Sequence, residues 1–314
     1  MKKTLSIHLV SALVALAALA SLAGNALAQQ TGIPQADDRF AATNRWLHQE
    51  NLSITRTVTQ AFTDGYIVME GQGLPAAGST SVGQRRLTAQ RAAEVVAYRN
   101  LAQFLDGVAV VGDTTTRDMQ IRYDTVRTAV SAFIKGAQVI YKDYNDQEGA
   151  ATVLIKVGMS GPASFSDTMY RRLMGDPAVA PAIATPARPA APPPVVAPMP
   201  VVPYDGMIID ATGQSFRPAL INRIFTVRGE VLYDPSRVAQ KILVEKGCGE
   251  YTNSVDKAKS ALQGRGVTNP LIVKAAGTAG PTDLQVTDED AGKIFSANQK
   301  TNFLAGARIA FVLK

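Results

Sequence analysis

Cysteine is almost missing from this 314-residue chain: Cys248 stands alone. A single thiol excludes an internal disulfide even in an oxidising compartment, so the fold must be held by packing. Set between Gly247 and Gly249, it reads as a small buried residue rather than a reactive thiol. Histidine is nearly as scarce. Of His8 and His48, the first falls in a leader segment, and one remaining histidine excludes a multi-histidine metal site. Charge of one sign is not concentrated either. Residues 29–176 carry 15 basic and 15 acidic groups, and residues 204–314 carry 14 and 11. Nucleic acids need clustered cations and stacking aromatics, so that class of partner is set aside. Beyond the leader, no apolar run approaches the roughly 18 residues that span a bilayer.

The leader is the first positive signal. Lys2 and Lys3 precede an apolar stretch from Leu9 to Ala23, and Ala26-Leu27-Ala28 forms a small-residue cleavage site before Gln29. Residues 1–28 therefore read as a secretory signal, with the mature protein exported and either periplasmic or outer-membrane-associated. No cysteine lies at the cut, so no lipid anchor is predicted.

The clearest internal boundary is residues 177–203, which hold ten prolines and one charge, Arg188. Proline lacks an amide donor and fixes φ, so the run reads as a polyproline-II linker reaching roughly 80 Å when extended. It divides residues 29–176 from 204–314, and the halves are expected to act at separate places. The predicted fold class is α+β: two small domains, each a mainly antiparallel sheet with helices on one face.

In the first half, helices are predicted over Asp37–Glu50, Gln84–Asp106 and Tyr123–Lys135. Strands are predicted over Tyr66–Gly73, Val108–Gly112, Ala137–Asp143 and Ala150–Met159. In the Gln84 helix, Leu87, Val95, Tyr98, Leu101, Ala102 and Leu105 recur at helical spacing and form the expected core face. In the second half, Asp234-Pro235 starts a helix to Lys246, Ser254–Leu262 and Asp288–Phe295 form two more, and short strands surround them.

Residues 64–160 carry a Gly-Tyr-Ile-Val-Met-Glu-Gly-Gln-Gly strand, an Arg/Ala-rich helix from Arg85 to Ala93, then Asn100-Leu101-Ala102, Gly107-Val108 and Ile134-Lys135-Gly136-Ala137. This order resembles the LPP20-like lipoprotein domain and the related N-terminal domain of flagellar assembly protein T. The resemblance implies assembly or scaffolding in the envelope rather than catalysis. The segments Tyr204–Asp210, Arg217–Leu220 and Asn269–Ala275 resemble a region that follows such domains in exported proteins, and imply no function.

Candidate chemistry is thin. After the strand, Gly71-Gln72-Gly73-Leu74-Pro75-Ala76 meets a loose dinucleotide fingerprint, but Pro75, Gly78 and Gly83 delay the helix that would hold a pyrophosphate, so a wide turn accounts for it. Asp143, Asn145, Asp146 and Glu148 share one turn without EF-hand spacing. Arg85, Arg86 and Arg91 suit an anionic glycan or lipid headgroup, yet Arg91 and Glu94 stand at pairing distance along a helix. Asp205, Asp210, Glu250 and Asp256 read as solvated caps rather than a glycosidase pair. No catalytic residue, cofactor site or metal site is assigned.

The expected function is a non-catalytic exported scaffold or assembly component, of a surface or flagellar-ring type, with envelope proteins or further copies of itself as partners. Val110, on a short strand, is the expected assembly edge. The alternative is a periplasmic ligand-binding protein using the C-terminal domain for an anion, with Arg217, Arg223 and Lys274 as contacts.

Overall fold

The computed structural model describes residues 41–184 and 203–314. The signal segment and most of the proline-rich run lie outside the described residues. Two units divide the chain, residues 1–53 and residues 54–314. In the first, the described helix is α1 (Ala41–Gln49), which buries Thr43 and Leu47.

The second unit opens with α2 (Val58–Asp64), started by the Thr57 side chain accepting from the Gln60 amide and closed by Gly65 at φ 75°. Then come β1 (Tyr66–Gly73) and the long α3 (Val82–Asp106), whose N-cap is Ser81. A hairpin of β2 (Ala109–Val111) and β3 (Thr114–Thr115) leads into α4 (Thr116–Arg122) through a Thr115/Asp118 capping box. After α5 (Asp124–Lys135) come β4 (Gln138–Asn145), β5 (Ala150–Gly158) and α6 (Phe165–Gly175). The strands form an antiparallel sheet in the order β1-β5-β4, as the alternating pattern predicts.

The face α3 turns to this sheet is not the one its large residues suggest. It buries Ala89, Ala93, Ala97, Leu101 and Leu105, while Leu87 and Val95 are exposed. The cause lies opposite, in β1. A Cβ on Gly71 would overlap the Ala93 carbonyl and the Ala97 amide, and one on Gly73 would overlap the backbone of Ala89 and Ala93. Helix and strand meet backbone to backbone, so only alanine fits the first three buried positions. Gly71 and Gly73 are therefore strand residues that admit a helix, within the predicted strand Tyr66–Gly73, and the wide turn follows them over residues 74–81.

The expected linker also begins too early. A 3₁₀ turn at Ala180–Ile183 belongs to the fold, with Val179 and Ile183 buried. The first amides of a helix have no partner within it, which lets Pro181 stand second in this turn.

Residues 203–314 contribute β6 (Gly206–Asp210), β7 (Ile224–Thr226), β8 (Val231–Tyr233), a 3₁₀ turn at Pro235–Arg237 and α7 (Gln240–Lys246). They continue with β9 (Glu250–Thr252), α8 (Val255–Gln263), β10 (Pro270–Lys274), β11 (Gly277–Gly280), β12 (Asp283–Val286), α9 (Asp288–Thr301) and β13 (Ile309–Val312). The α+β class holds for both halves, but the main sheet here is not antiparallel. Its order is β10-β6-β13-β9 and every pair in it is parallel. Parallel neighbours need crossovers, and a helix on one face with a second layer on the other buries both sides. Ala258 and Leu262 of α8 cover Ile208, Ala310 and Val312; Met207, Ile209 and Phe311 face the larger core. The second sheet, β11-β12-β7-β8, is mixed.

Far from acting apart, the two halves of residues 54–314 share that larger core. Leu220 and Ile221 donate their amides to the carbonyls of Ala109 (3.1 Å) and Val110 (2.8 Å). Tyr170 donates to the Leu220 carbonyl at 2.7 Å, and Gly112 to Thr282 Oγ1 at 2.7 Å. Val110 is thus corrected as an assembly edge: it is fully buried and its carbonyl is taken by the chain's own Ile221.

Candidate functional site

A cavity of about 300 Å³ opens where the turn Gly247-Cys248-Gly249 meets α6 and α8; Phe62, Ser166, Tyr170, Cys248, Tyr251 and Arg265 are among its walls. The turn is positioned by its glycines. Gly247 takes φ 69°, and a Cβ on Gly249 would come within 2.7 Å of the Phe311 ring. The Cys248 thiol lies 3.1 Å from the Tyr251 hydroxyl, which in turn donates to Asn222 Oδ1. Tyr233 donates to the Cys248 carbonyl at 2.7 Å. Burial pushes the Cys248 thiol up from its ordinary value and holds Tyr170, Tyr233 and Tyr251 well above the usual phenol range. Reactive cysteines sit in electropositive, partly open surroundings. This one is a neutral, buried member of a tyrosine cluster.

The Arg265 guanidinium closes one wall, donating to Glu250 Oε1 (2.6 Å), the Ala307 carbonyl (2.7 Å) and the Lys246 carbonyl. With its charge met by Glu250 and its donors spent on carbonyls, it works as a clasp. Ser166 is buried and lines the same space. The cavity therefore joins polar and apolar walls around a thiol that burial keeps protonated. His48 stands on α1, in the unit of residues 1–53.

A second hollow, about 610 Å³, runs between α3 and the outer edge of β1, walled by Thr55, Met69, Glu70, Gln72, Asn100 and Phe104 among others. Val68 shows which way this edge faces. Its carbonyl accepts from the Thr55 amide (2.9 Å) and its amide donates to Thr55 Oγ1 (3.0 Å). Alternation then turns the backbones of Glu70 and Gln72 outward as well. Asn100 Nδ2 donates to the Glu70 carbonyl at 2.7 Å, while past Val68 no strand among the described residues pairs with β1 on this side.

The basic residues expected to bind an anion do not converge. Arg217 is exposed, with Nη2 3.4 Å from the Gly112 carbonyl. Lys274 is exposed at the end of β10. Arg223 is corrected outright: its side chain is 5% exposed and lies 3.6 Å from Asp234 Oδ1, with Nη2 donating to the Ile183 carbonyl. None of the three lines either cavity. In the acidic turn, Asn145 Oδ1 accepts the amides of Gln147 and Glu148, a turn-forming role. Among the described residues no group of three or more His, Cys, Asp or Glu is disposed to hold a metal ion, and no helix is long and apolar enough to cross a membrane.

The remaining acids act as local clasps. Asp205 accepts from Thr268 N (2.8 Å), Thr268 Oγ1 (2.7 Å) and Asn269 N (2.7 Å), and Asp210 from Thr212 N (3.0 Å) and Oγ1 (2.6 Å). For Asp205 burial raises the pKa, but the bonds from Thr268 and Asn269 together outweigh it, and the net shift is downward. Asp210 is lowered by Thr212. A carboxylate whose folded pKa is lowered stabilises above its unfolded pKa, and that contribution is lost as pH falls through the folded value. Asp283 has the opposite sign. Burial raises its pKa, so what it contributes is present below the unfolded pKa and lost as pH rises through the folded one. Melting temperature should therefore drop when pH falls below about 4, and Asp205→Ala should flatten that acid limb. An unchanged limb in the variant would show that Asp205 is not a source of it.

Residues 206–314 match the family model of the second domain of Treponema pallidum Tp0624. The match begins at the first residue of β6 and takes in both C-terminal sheets, which marks this half as a distinct domain. No curated protein matches the chain.

Proposed function

We propose that this protein is a non-catalytic, exported component of the cell envelope that serves as a scaffold or assembly part, with an LPP20-like first half of the surface or flagellar-ring type. The observation that carries the reading is the outward edge of β1 at Gln72 and the Glu70 amide, which runs beside a groove, the Glu70 carbonyl being held by Asn100. An edge of this kind accepts a strand from a neighbour through its backbone, with the groove taking alternate side chains. The shared core supports the same reading, because a rigid two-lobed body can hold partners in fixed register.

Gln72→Pro removes one outward amide and no bond of the β1–β5 ladder, which an edge strand tolerates. Detergent release from native envelopes followed by size-exclusion is expected to show the wild type in a large particle and folded Gln72→Pro released as a small species. Wild type emerging as a free monomer would overturn the proposal.

The alternative reading, a ligand-binding protein, rests on the cavity at Cys248 and not on Arg217, Arg223 and Lys274. Mass spectrometry of the gently purified chain should then reveal a bound small molecule that Ser166→Phe displaces. Empty protein would remove that alternative.

A further inference from the structure

Both halves of residues 54–314 wall the cavity at Cys248. The first supplies Phe62 from α2, Met159 after β5, and Ser166 and Tyr170 from α6; the second supplies Cys248, Tyr251 and Arg265. Small-molecule sites favour such junctions, and about 300 Å³ stands at the lower end of their usual volume. Three of these walls are rings and two carry sulfur. Phe62 already stands edge-on to Tyr251, with ring centroids 5.0 Å apart. Charge, by contrast, is cancelled within the walls. Arg265 is paired with Glu250 at 2.6 Å and donates besides to two carbonyls, while Glu245 and Lys246 are exposed and opposite in sign. Burial keeps the Cys248 thiol and the Tyr170 and Tyr251 phenols neutral. One buried polar group is left over. Ser166 is 4% exposed, its amide donates to the Met159 carbonyl at 3.1 Å, and its hydroxyl has no hydrogen-bond partner among the described residues. Buried polar groups are as a rule paired.

We infer that the cavity takes a small uncharged aromatic molecule of one or two rings, whose N–H or O–H pairs with the Ser166 hydroxyl. Rings that meet edge to face, and sulfur at a ring edge, favour an aromatic guest over an aliphatic one of equal size. An ion would surrender its hydration to walls whose charges are already matched. A sugar would bring several hydroxyls to a space with one unpartnered buried side chain, and the rest would go unsatisfied. The inference rests on the ligand-binding reading, which it deepens by naming the guest, and it uses nothing of the β1 edge.

Titration of the purified chain, followed by NMR of its amides, with indole, phenol, cyclohexanol, benzoate and benzylamine tests it. Indole and phenol are expected to shift the amides of residues 166–170 and 247–251, and benzoate and benzylamine to leave them in place. Phenol should bind about three- to tenfold more tightly than cyclohexanol, which matches it in size and hydroxyl but not in ring electrons. Ser166→Ala should weaken phenol binding about fivefold, the worth of one net hydrogen bond, without lowering the melting temperature of the empty chain, since no bond of the fold is lost. No binding of indole or phenol, equal affinities for phenol and cyclohexanol, tighter binding of either ion, or equal binding by Ser166→Ala and wild type overturns the inference. The ligand-binding reading is decided separately, by whether the chain is purified with a molecule that Ser166→Phe displaces. An ion or a sugar found there would keep that reading and overturn the aromatic guest.

Discussion

Arg223→Met should lower the stability of the folded chain by about 3–5 kcal/mol at neutral pH, the cost of removing one partner from a buried ion pair. Arg223 and Asp234 have side chains 5% and 1% exposed, so solvent does little to screen them. Asp234 Oδ1 also accepts the Ser236 amide and hydroxyl, at 2.9 Å and 2.8 Å, which keeps the carboxylate in place when the cation is gone. Asp283 is buried nearby and accepts the Arg223 amide at 2.9 Å, a backbone bond that survives the substitution. Burial already raises the Asp283 pKa in the presence of the guanidinium. Without it, the Asp283 carboxyl is pushed further up, and a group raised in the folded state loses its contribution as pH rises through the folded value. The deficit of the variant should accordingly shrink as pH is lowered from 7 towards about 5. Urea titrations at the two pH values decide it; a variant as stable as wild type at neutral pH would mean that the buried cation compensates nothing.

Gly71→Val should be at least as damaging, costing about 3 kcal/mol or more, at the upper end of what overpacking costs. Most overpacked side chains find relief by rotating. Here the obstruction is the Ala93 carbonyl and the Ala97 backbone, so relief requires α3 to lift from β1 and to open Ala89, Ala93 and Ala97 to solvent. Gly83 provides the contrast within the same helix. A Cβ there meets nothing within 4 Å, and Gly83→Ala should stabilise by roughly 0.5–1 kcal/mol through helix propensity and the unfolded chain. Thermal melts of the pair should move in opposite directions. Equal melting temperatures for Gly71→Val and wild type would refute the close helix-strand contact.

Those two glycines also show where reading the sequence stops. The span of α3 is legible from its apolar recurrence and from Ser81 and Gly107 at its ends, but its inward face is not. Leu87 and Val95 outweigh three alanines in any hydrophobicity pattern, and only a partner strand without side chains reverses the order. Similarly, β6 and β13 announce burial on both faces in Met207-Ile208-Ile209 and Ile309-Ala310-Phe311-Val312; continuous rather than alternating apolar strands are the mark of a parallel sheet. The helix α6 had a signal as well. Ser164 precedes Asp167, and Phe165, Met169, Tyr170 and Leu173 follow at helical spacing. Arg223 had none: nothing in Asn222-Arg223-Ile224 separates a cation waiting for an anion from one already matched to Asp234, residues away in sequence and adjacent in space. Val110 failed for the same reason, its partner Ile221 being supplied from the other half of the chain.

The bonds from Leu220 and Ile221 to Ala109 and Val110 free the covalent connection between the halves from any duty of orientation. Register is written into those carbonyls, and into Tyr170 reaching Leu220, rather than into the length of residues 185–202. Closure entropy grows slowly with the length of a connection, by about 0.6 kcal/mol per doubling, so a change in the number of residues there weighs little against the bonds that set the register. Drift in that stretch is therefore open to selection on other grounds, while residues 109–110 and 219–223 are the positions at which a change alters how one half is presented by the other.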